Sequence, residues 1–253
     1  MDRRARAGLK YGMPIILAIE TSSELASCAL LSGDATVISR DSSGVRTHSQ
    51  SVLPMVQELL REAGIALADL DAIAFGAGPG SFTGVRTACG VAQGLAFGAG
   101  LPVLPLVTLE AMAESCRARS GATEVLAVLD ARMGEVYWAQ YRYAGGAWQA
   151  LVEPALSAPA AVQPLARDGL AACGNGFAAY PDAFAGAGFA AGADASIVPH
   201  ARDMAVIAAG ALARGQGVPP AQAQPLYLRN KVAFTSAERQ VINSAKAGAR
   251  TEP

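Results

Sequence analysis

The sequence predicts an α/β protein with two lobes, and three observations support this fold class. Hydrophobic residues make up 52% of the 253 residues and charged residues only 16%, so the chain can bury a substantial core and is not disordered over most of its length. The spacing of apolar residues changes after residue 47 from a period of two to a period of about 3.6. A second group of strand patterns begins at Glu124, after the first group has ended.

The first hundred residues predict the element order β-β-β-α-β-α-β. A polar turn at residues 20–24 separates the first two strands, and a turn at 32–34 separates the second from the third. N-cap side chains at 47–49 precede the first helix, and a glycine-rich turn precedes the second. The expected elements are the strands Ile15–Ile19, Ala26–Leu31 and Ala35–Arg40, a helix up to Gly64, the strand Asp71–Gly76, the helix Ser81–Ala99 and the strand Pro102–Val107. A meander followed by right-handed crossovers onto parallel strands is typical of an α/β lobe.

The second lobe is expected to begin with a helix capped by Thr108. The further elements are that helix through Arg119, the strands Glu124–Asp130, Glu135–Tyr143 and Trp148–Pro154, a helix starting after Ser157, the strand Gly169–Cys173 and a helix Ala201–Arg214. The Ala/Gly-rich run Ala183–Ala195 predicts a helix end and a loop. The chain then divides into an N-terminal extension (1–12), a first lobe (13–108), a second lobe with a linking helix (109–230) and a polar tail (231–253) in which Thr235 and Glu238 are spaced as a capping box.

Charge and residue usage exclude several functional classes. The formal net charge is -1, so nothing in the composition supports nucleic-acid binding by this chain alone. The four cysteines form no CxxC pair and predict reduced thiols in the cytoplasm, and two separate histidines predict no metal site. The most apolar long stretch, 84–101, contains Arg86 and is therefore not expected to span a membrane. The basic start lacks the apolar segment of a secretory signal and predicts a frayed tail.

A glycine-rich turn, Gly76–Arg86, leads from a strand into a helix. Glycines let the backbone approach another group closely, and a helix N-terminus can hold an anion, so a phosphate cradle is possible beside the default of a structural turn. The segment is neither a P-loop nor GxGxxG. Together with the polar turn after the first strand, it gives weak candidates for nucleotide contacts at Thr21, Ser22, Gly78 and Gly80.

Three glycines recur every four residues in the following helix, at Gly90, Gly94 and Gly98, close to the line of Thr83 and Thr87. Each interior glycine costs up to about 1 kcal/mol of helix stability relative to alanine. A ridge without side chains lets another helix approach closely, either from this chain or from a partner, and packing against the chain's own sheet is the alternative.

The segment Asp130–Glu135 places two carboxylates on either side of Arg132 across a tight turn. Paired carboxylates suggest acid/base chemistry, but the arginine between them favours an ion-paired hairpin. His48 and His200 have no neighbouring pattern that indicates a nucleophile or a metal ligand.

Five segments in order resemble the bacterial TsaB family, also called YeaZ, over about Ile15 to Asn230. They are ILAIETSSELASCALL, HSQSVLPMVQELL, FGAGPGSFTGVRTACGVAQGLAFG, VLDARMGEVYWAQY and PLYLRN. The resemblance implies an actin-like fold of two lobes (ASKHA, ribonuclease H-like), each with a mixed sheet and flanking helices. One departure is Glu20, where many relatives carry aspartate, and the longer acid further weakens a nucleotide role.

The resemblance also implies a non-catalytic subunit without cofactor or metal. In that family, TsaD carries the metal ligands and catalysis and, with TsaB and the ATPase TsaE, transfers the threonylcarbamoyl group to N6 of an adenosine in tRNAs that read ANN codons. The first lobe would bind a TsaD-like protein, tRNA would be held mainly by partners, and a homodimer could form in the absence of a partner. An actin-fold ATPase or kinase acting on its own is the alternative. The implied partner-binding positions are Ser49, Leu53, Val56, Leu60, Ser81, Thr83, Arg86, Thr87, Gly90, Gly94 and Gly98.

Overall fold

The computed structural model describes residues 14–42 and 48–229. The frayed tail expected at residues 1–12 and the polar helix expected around Thr235 and Glu238 lie outside the described residues.

The first sheet has five strands in the order β3-β2-β1-β4-β5. These strands are β1 (Ile16–Glu20), β2 (Ala26–Leu31), β3 (Val37–Ser42), β4 (Ala72–Gly78) and β5 (Val103–Val107). The first three form an antiparallel meander, and β4 and β5 join β1 in parallel pairings. The predicted element order is confirmed, with bounds that agree or differ by one or two residues.

Helices cover both faces of this sheet. On one face lie α1 (His48–Ala63) and α2 (Phe82–Ala99), whose apolar residues pack with alternate side chains of β1 and β2. Ser81 caps α2, since its side chain accepts a hydrogen bond from Gly84 N at 3.4 Å, and Gly100 ends the helix in the left-handed conformation. The other alternate side chains of β1 and β2 form a second buried cluster on the opposite face of the sheet, because successive side chains of a strand point to opposite faces.

The second sheet has four strands in the order β8-β7-β6-β9. Its strands are β6 (Glu124–Asp130), β7 (Val136–Ala144), β8 (Ala147–Ser157) and β9 (Leu170–Cys173). Helix α3 (Thr108–Ser120) links the two sheets and packs on one face of the second. The other face is covered by two short helices, α4 (Gly176–Ala179) and α5 (Pro181–Phe184), and by a 3-10 turn at Gly188–Ala190. The run Ala183–Ala195 is thus a helix end and a loop, as predicted.

The helix predicted after Ser157 is wrong. Strand β8 continues to Ser157, and only a single 3-10 turn, Pro159–Ala161, follows it. Pro164 would remove a helical hydrogen bond and clash with the preceding turn, so an α-helix cannot continue through this segment.

The last helix, α6 (Ala201–Ala213), packs on the first sheet although it lies inside residues 109–230. Its alanines and Met204 contact the face of β1 and β2 that α1 and α2 leave free. Among the described residues, no helix has the length and apolar character required to cross a bilayer.

Candidate functional site

The glycine ridge of α2 faces open space. A Cβ atom added at Gly90, Gly94 or Gly98 would meet no heavy atom of residues 14–42 and 48–229 within 4 Å, apart from the neighbouring backbone of the helix. The opposite face of α2, with Ala88 and Ala92, is the one that packs on the first sheet. Packing of the ridge against the chain's own sheet, one of the two alternatives raised by the sequence, is therefore wrong.

Phe97 lies on the same face of α2 and is not among the positions predicted from the sequence. Its side chain is 82% exposed, the largest value among the exposed large hydrophobic residues described. It follows Gly90 by seven residues and Gly94 by three, which places all three on one side of the helix. This spacing from Gly90 and Gly94 is the feature of the sequence that could have identified Phe97 as part of the surface. A large exposed apolar side chain beside a bare backbone is typical of a protein interaction surface.

Helix α1 contributes fewer of the predicted interface residues than expected. Ser49 and Leu53 are exposed, Leu53 by 45%, and Leu60 is half-buried. Val56 is only 3% exposed and packs in the core beneath the first sheet's helices. Its side chain is therefore not available to a partner, which corrects the partner-binding position that the resemblance implied.

The exposed surface continues to the N-terminal end of α2. The Arg86 guanidinium lies 3.2 Å from the centroid of the Phe82 ring and 4.6 Å from that of Tyr227, so it stacks between them. Thr83 is exposed and accepts a hydrogen bond at its carbonyl oxygen from the Thr87 hydroxyl at 3.0 Å. The stack of Phe82, Arg86 and Tyr227 joins the exposed face of α2 to the segment that follows α6.

The glycine-rich turn serves close packing between the start of α2 and the turn after β1. Ser81 N donates to Ser22 O at 2.7 Å, and the Thr21 hydroxyl donates to Gly84 O at 2.6 Å. A Cβ atom at Gly84 would overlap the carbonyl oxygen of Thr21, and one at Gly80 would lie 2.5 Å from Ser22 Cβ. The groups considered for phosphate contacts are thus engaged in internal contacts.

Gly78 belongs to the same arrangement. It has a φ of +113°, and a Cβ atom there would lie 2.9 Å from the carbonyl oxygen of Leu226. Leu226 N in turn donates to Ala77 O at 2.7 Å. The segment after α6 is therefore bonded along the end of β4 and occupies the space above this glycine.

Glu20 is fully buried at the end of β1. Its Oε1 accepts a hydrogen bond from Ser22 N, whereas its Oε2 has no hydrogen-bond partner. A side chain at Gly76 would overlap Oε2, so this glycine in β4 makes room for the carboxyl group. Burial raises the pKa of Glu20 to about 7, and hydrogen bonds from Ser22 and Thr21 only partly oppose the shift.

A cleft of about 560 Å³ lies between the two sheets. It is bounded by the turn after β1, the start of α2, the turn between β6 and β7, and residues 226–229. An ion pair between Glu24 and Arg132 joins the turn after β1 to the turn between β6 and β7. The cleft has an apolar wall that includes Phe82 and Tyr137.

Ion pairs hold the turn between β6 and β7. Arg132 Nη1 lies 3.5 Å from Asp130 Oδ2, as the arginine between the acids predicted, whereas Glu135 pairs at 2.6 Å with Arg229, which is distant in the sequence. Arg132 and Met133 both have a φ of +60°, a conformation that non-glycine residues adopt only when the surroundings impose it. The two carboxylates therefore have structural partners.

The two histidines have separate local roles. His200 Nδ1 accepts a hydrogen bond from Arg202 N at 3.0 Å and caps α6, while His48 Nε2 lies 3.2 Å from the carbonyl oxygen of Glu24. Within residues 14–42 and 48–229, no three histidine, cysteine, aspartate or glutamate side chains are grouped as metal ligands would be.

Comparisons with known proteins match this architecture. A family model described as "TsaD: tRNA N6-adenosine threonylcarbamoyltransferase" matches residues 37–238. The chain is 44% identical over 224 residues to the tRNA threonylcarbamoyladenosine biosynthesis protein TsaB of Escherichia coli K12, which covers 87% of this chain and 96% of that protein. It is 39% identical over 229 residues to the protein of the same name from Haemophilus influenzae, with 87% of this chain and 95% of that protein covered.

A solved structure described as YeaZ from Pseudomonas aeruginosa is 42% identical and superimposes with a TM-score of 0.79, covering 85% of this chain and all of that one. A second structure, of a protein similar to the peptidase YeaZ from Pseudomonas aeruginosa, gives the same TM-score at 43% identity and covers 86% of this chain. These matches confirm the two-lobe actin-like fold. The chain belongs to the TsaB (YeaZ) family.

Proposed function

We propose that this chain is a non-catalytic subunit in the synthesis of threonylcarbamoyladenosine in tRNA, where it binds and supports a TsaD-like transferase together with a TsaE-like ATPase. Its relatives are named for this biosynthesis. The observation that carries the proposal is the exposed face of α2, where Gly90, Gly94 and Gly98 open onto solvent beside Phe97.

The glycines of the ridge lower the stability of α2, and a partner helix would offset this loss. The two interior glycines Gly90 and Gly94 together cost about 2 kcal/mol of helix stability relative to alanine, and Gly98 lies in the last turn of α2. No described side chain packs on them, so nothing within residues 14–42 and 48–229 offsets this cost. A partner helix that lies on the bare backbone would offset it by dispersion contacts and by burying Phe97.

The proposed partner surface extends from this face in two directions. It reaches α1 through exposed or half-buried side chains and the start of α2 through the stacked Arg86. Its members are Ser49, Leu53, Leu60, Ser81, Thr83, Arg86, Thr87, Gly90, Gly94, Phe97 and Gly98. When no TsaD-like protein is present, the same surface is expected to pair two copies of this chain.

A role without chemistry of its own agrees with how the candidate reactive groups are engaged. The carboxylates of the turn between β6 and β7 are ion-paired, and the Thr21 hydroxyl is bonded to the backbone of α2. A net charge of -1 supports tRNA binding mainly through the partners.

The test is co-purification of the chain with the TsaD-like protein of its own organism. Gly94→Leu places a large side chain on the bare face and should abolish the complex, because the partner helix can no longer approach. Gly188→Leu is the matched control, since a Cβ atom there also meets nothing within 4 Å. Both variants should keep the circular dichroism spectrum of the wild type. A complex of unchanged affinity with the Gly94 variant would refute the proposed surface.

A tRNA modification assay with the TsaD-like protein, the TsaE-like ATPase and threonylcarbamoyl-AMP tests separately whether this chain supports the activity of the transferase. Omitting this chain should remove most product, whereas this chain alone should form none. Product formed by this chain alone would show that it is an enzyme.

A second candidate function, an actin-fold ATPase, is favoured by the cleft of about 560 Å³ between the lobes. A cleft of this size can hold a small ligand. Calorimetry of the purified chain with ATP and Mg²⁺ separates the two candidates: micromolar binding followed by hydrolysis would support the ATPase and count against the non-catalytic subunit.

A further inference from the structure

Two of the four cysteines lie side by side where α3 packs on the second sheet. Cys173, the last residue of β9, donates its thiol hydrogen to Met112 O at 3.7 Å. Within α3 the same carbonyl oxygen is the acceptor for Cys116 N, and helical side chains lean towards the N-terminus of their helix, so the Cys116 side chain turns back towards Cys173. The two thiols are within hydrogen-bonding distance of each other, and both belong to the buried cluster between α3 and the sheet.

The two sulfur atoms differ in how readily they ionise. The hydrogen bond from the Cys173 thiol lowers the pKa of Cys116 to about 7, although burial and the carboxylate of Asp194 oppose the shift. The same hydrogen bond, together with burial, raises the pKa of Cys173 well above its usual range. Near pH 7 the pair therefore contains a thiolate at Cys116 and a thiol beside it. The thiolate is the nucleophilic form of cysteine, and a neighbouring thiol can complete a disulfide.

Cys116 is also the member of the pair that lies closer to solvent. It is 4% exposed, whereas Cys173 is fully buried. Its sulfur lies 3.9 Å from the hydroxyl oxygen of Ser120, which is exposed and is the last residue of α3. Helix ends open more readily than the rest of a fold, so opening of the last turn of α3 gives a small oxidant access to Cys116.

We propose that Cys116 and Cys173 form a modification site for peroxides, in which Cys116 reacts first and Cys173 then closes a disulfide between α3 and β9. The site lies in the second lobe, and the proposal does not depend on the partner surface of the first lobe.

The reaction has two steps. In the first, the Cys116 thiolate attacks one oxygen of hydrogen peroxide, so that an S–O bond forms, the O–O bond breaks and hydroxide leaves. In the second, the Cys173 sulfur attacks the sulfur of this sulfenic acid, so that the S–S bond forms, the S–O bond breaks and water leaves with the proton of the Cys173 thiol. Two electrons pass from the two sulfurs to the peroxide. The product ties the helix that links the two sheets to an edge strand of the second.

The test follows each thiol of the full chain at about pH 7.5 after hydrogen peroxide is added, by alkylation of the remaining thiols and mass spectrometry of the peptides. Cys89 is the matched internal control, since it is 5% exposed, donates its thiol hydrogen to Ala223 O and has a pKa that burial raises. Cys116 should be lost at least about tenfold faster than Cys89, because at this pH Cys116 is mostly thiolate and Cys89 is almost entirely thiol. Cys116 and Cys173 should be lost together, as disulfide-linked peptides that dithiothreitol separates.

Two serine variants separate the steps. In Cys173→Ser the sulfenic acid at Cys116 has no thiol to react with, so dimedone should trap it, whereas the wild type should give little dimedone adduct. In Cys116→Ser the loss of Cys173 should be as slow as that of Cys89. Circular dichroism establishes that each variant is folded.

Three results on the wild type overturn the proposal, so it stays testable even if a serine variant does not fold. The first is loss of Cys116 and Cys89 at the same rate. The second is loss of Cys116 while Cys173 remains a thiol. The third is a disulfide that joins two copies of the chain instead of α3 and β9 of one copy.

Discussion

Two groups of glycines lie close together in the first lobe and have opposite surroundings. At Gly76, Gly80 and Gly84 an added Cβ atom would collide with Glu20 or with the turn after β1, whereas at Gly94 and its neighbours on the ridge it would meet no atom of the described residues within 4 Å. The fold of the chain itself therefore explains the first group, which we call the packed glycines. It does not explain the second group, which we call the open glycines. Because no contact within the described residues requires glycine at these positions, they indicate a contact with another molecule.

The largest effect expected from this comparison is the loss of stability in Gly84→Ala. The new methyl group would overlap the backbone carbonyl of Thr21, which cannot move without breaking the hydrogen bond from the Thr21 hydroxyl to Gly84 O. We expect a loss of about 3 kcal/mol or more in the free energy of unfolding, measured by urea denaturation. A loss below about 1 kcal/mol would show that the packed glycines are not required by close approach.

The second expected effect is a dependence of folding stability on pH, and it comes from Glu20, whose buried carboxyl group lies beside the packed glycine Gly76. Because burial raises its pKa from 4.5 to about 7, the folded chain binds more protons than the unfolded chain between these values. Stability is therefore lost as the pH rises from about 5 to about 8. Burial of Glu110 and of Asp203, whose pKa values rise to about 7 and about 6, adds to the same trend.

Glu20→Gln removes one of these titrations without changing the size of the side chain. The difference in unfolding free energy between pH 5 and pH 8 should shrink by on the order of 2 kcal/mol relative to the wild type. Denaturation curves of both proteins at the two pH values measure it. An unchanged difference would mean that Glu20 is ionised throughout this range.

Local spacing in the sequence predicted a large part of this architecture. The change of apolar period located α1, and the four-residue recurrence of glycine placed the ridge on one side of α2. These features depend on residues close together in the chain, whose positions on a helix or strand follow from its geometry.

Features set by distant contacts were not predictable in this way. Whether a glycine is packed or open depends on residues far away in the sequence: Gly84, for example, is packed against Thr21, which lies 63 residues before it. The return of α6 to the first sheet and the burial of Val56 likewise follow from how the elements assemble. Phe97 was missed because a phenylalanine in an apolar helix is ordinarily a core residue; its spacing from the glycines places it on their side of α2, and the tertiary structure shows that this side is exposed.

Phe97→Ala tests whether the open glycines belong to an interface. Since Phe97 is largely exposed, its removal should leave the unfolding free energy within about 0.5 kcal/mol of the wild type. Affinity for the TsaD-like protein should fall roughly tenfold or more, as expected for an aromatic anchor at an interface. Leu165→Ala removes another exposed apolar side chain from the second lobe and should leave affinity unchanged, as measured by calorimetry of each variant with the partner. Equal affinity of the two variants would exclude Phe97 from the interface.

The smallest effect is expected from Gly94→Ala. Alanine should raise the stability of the chain at this open glycine, whereas it should lower the stability at a packed glycine, so the sign of the change distinguishes the two groups. The methyl group meets no other residue in the described part of the chain, so the isolated chain should gain up to about 1 kcal/mol of stability from the better helix propensity of alanine. The same substitution should weaken the complex with the TsaD-like protein, because the partner helix loses its closest approach to the backbone. Thermal unfolding of the free chain and calorimetry of the complex measure the two effects on one protein. A gain in stability without a loss of affinity would mean that the open glycines are not kept for contact with that partner, even though the packed glycines remain explained by the fold.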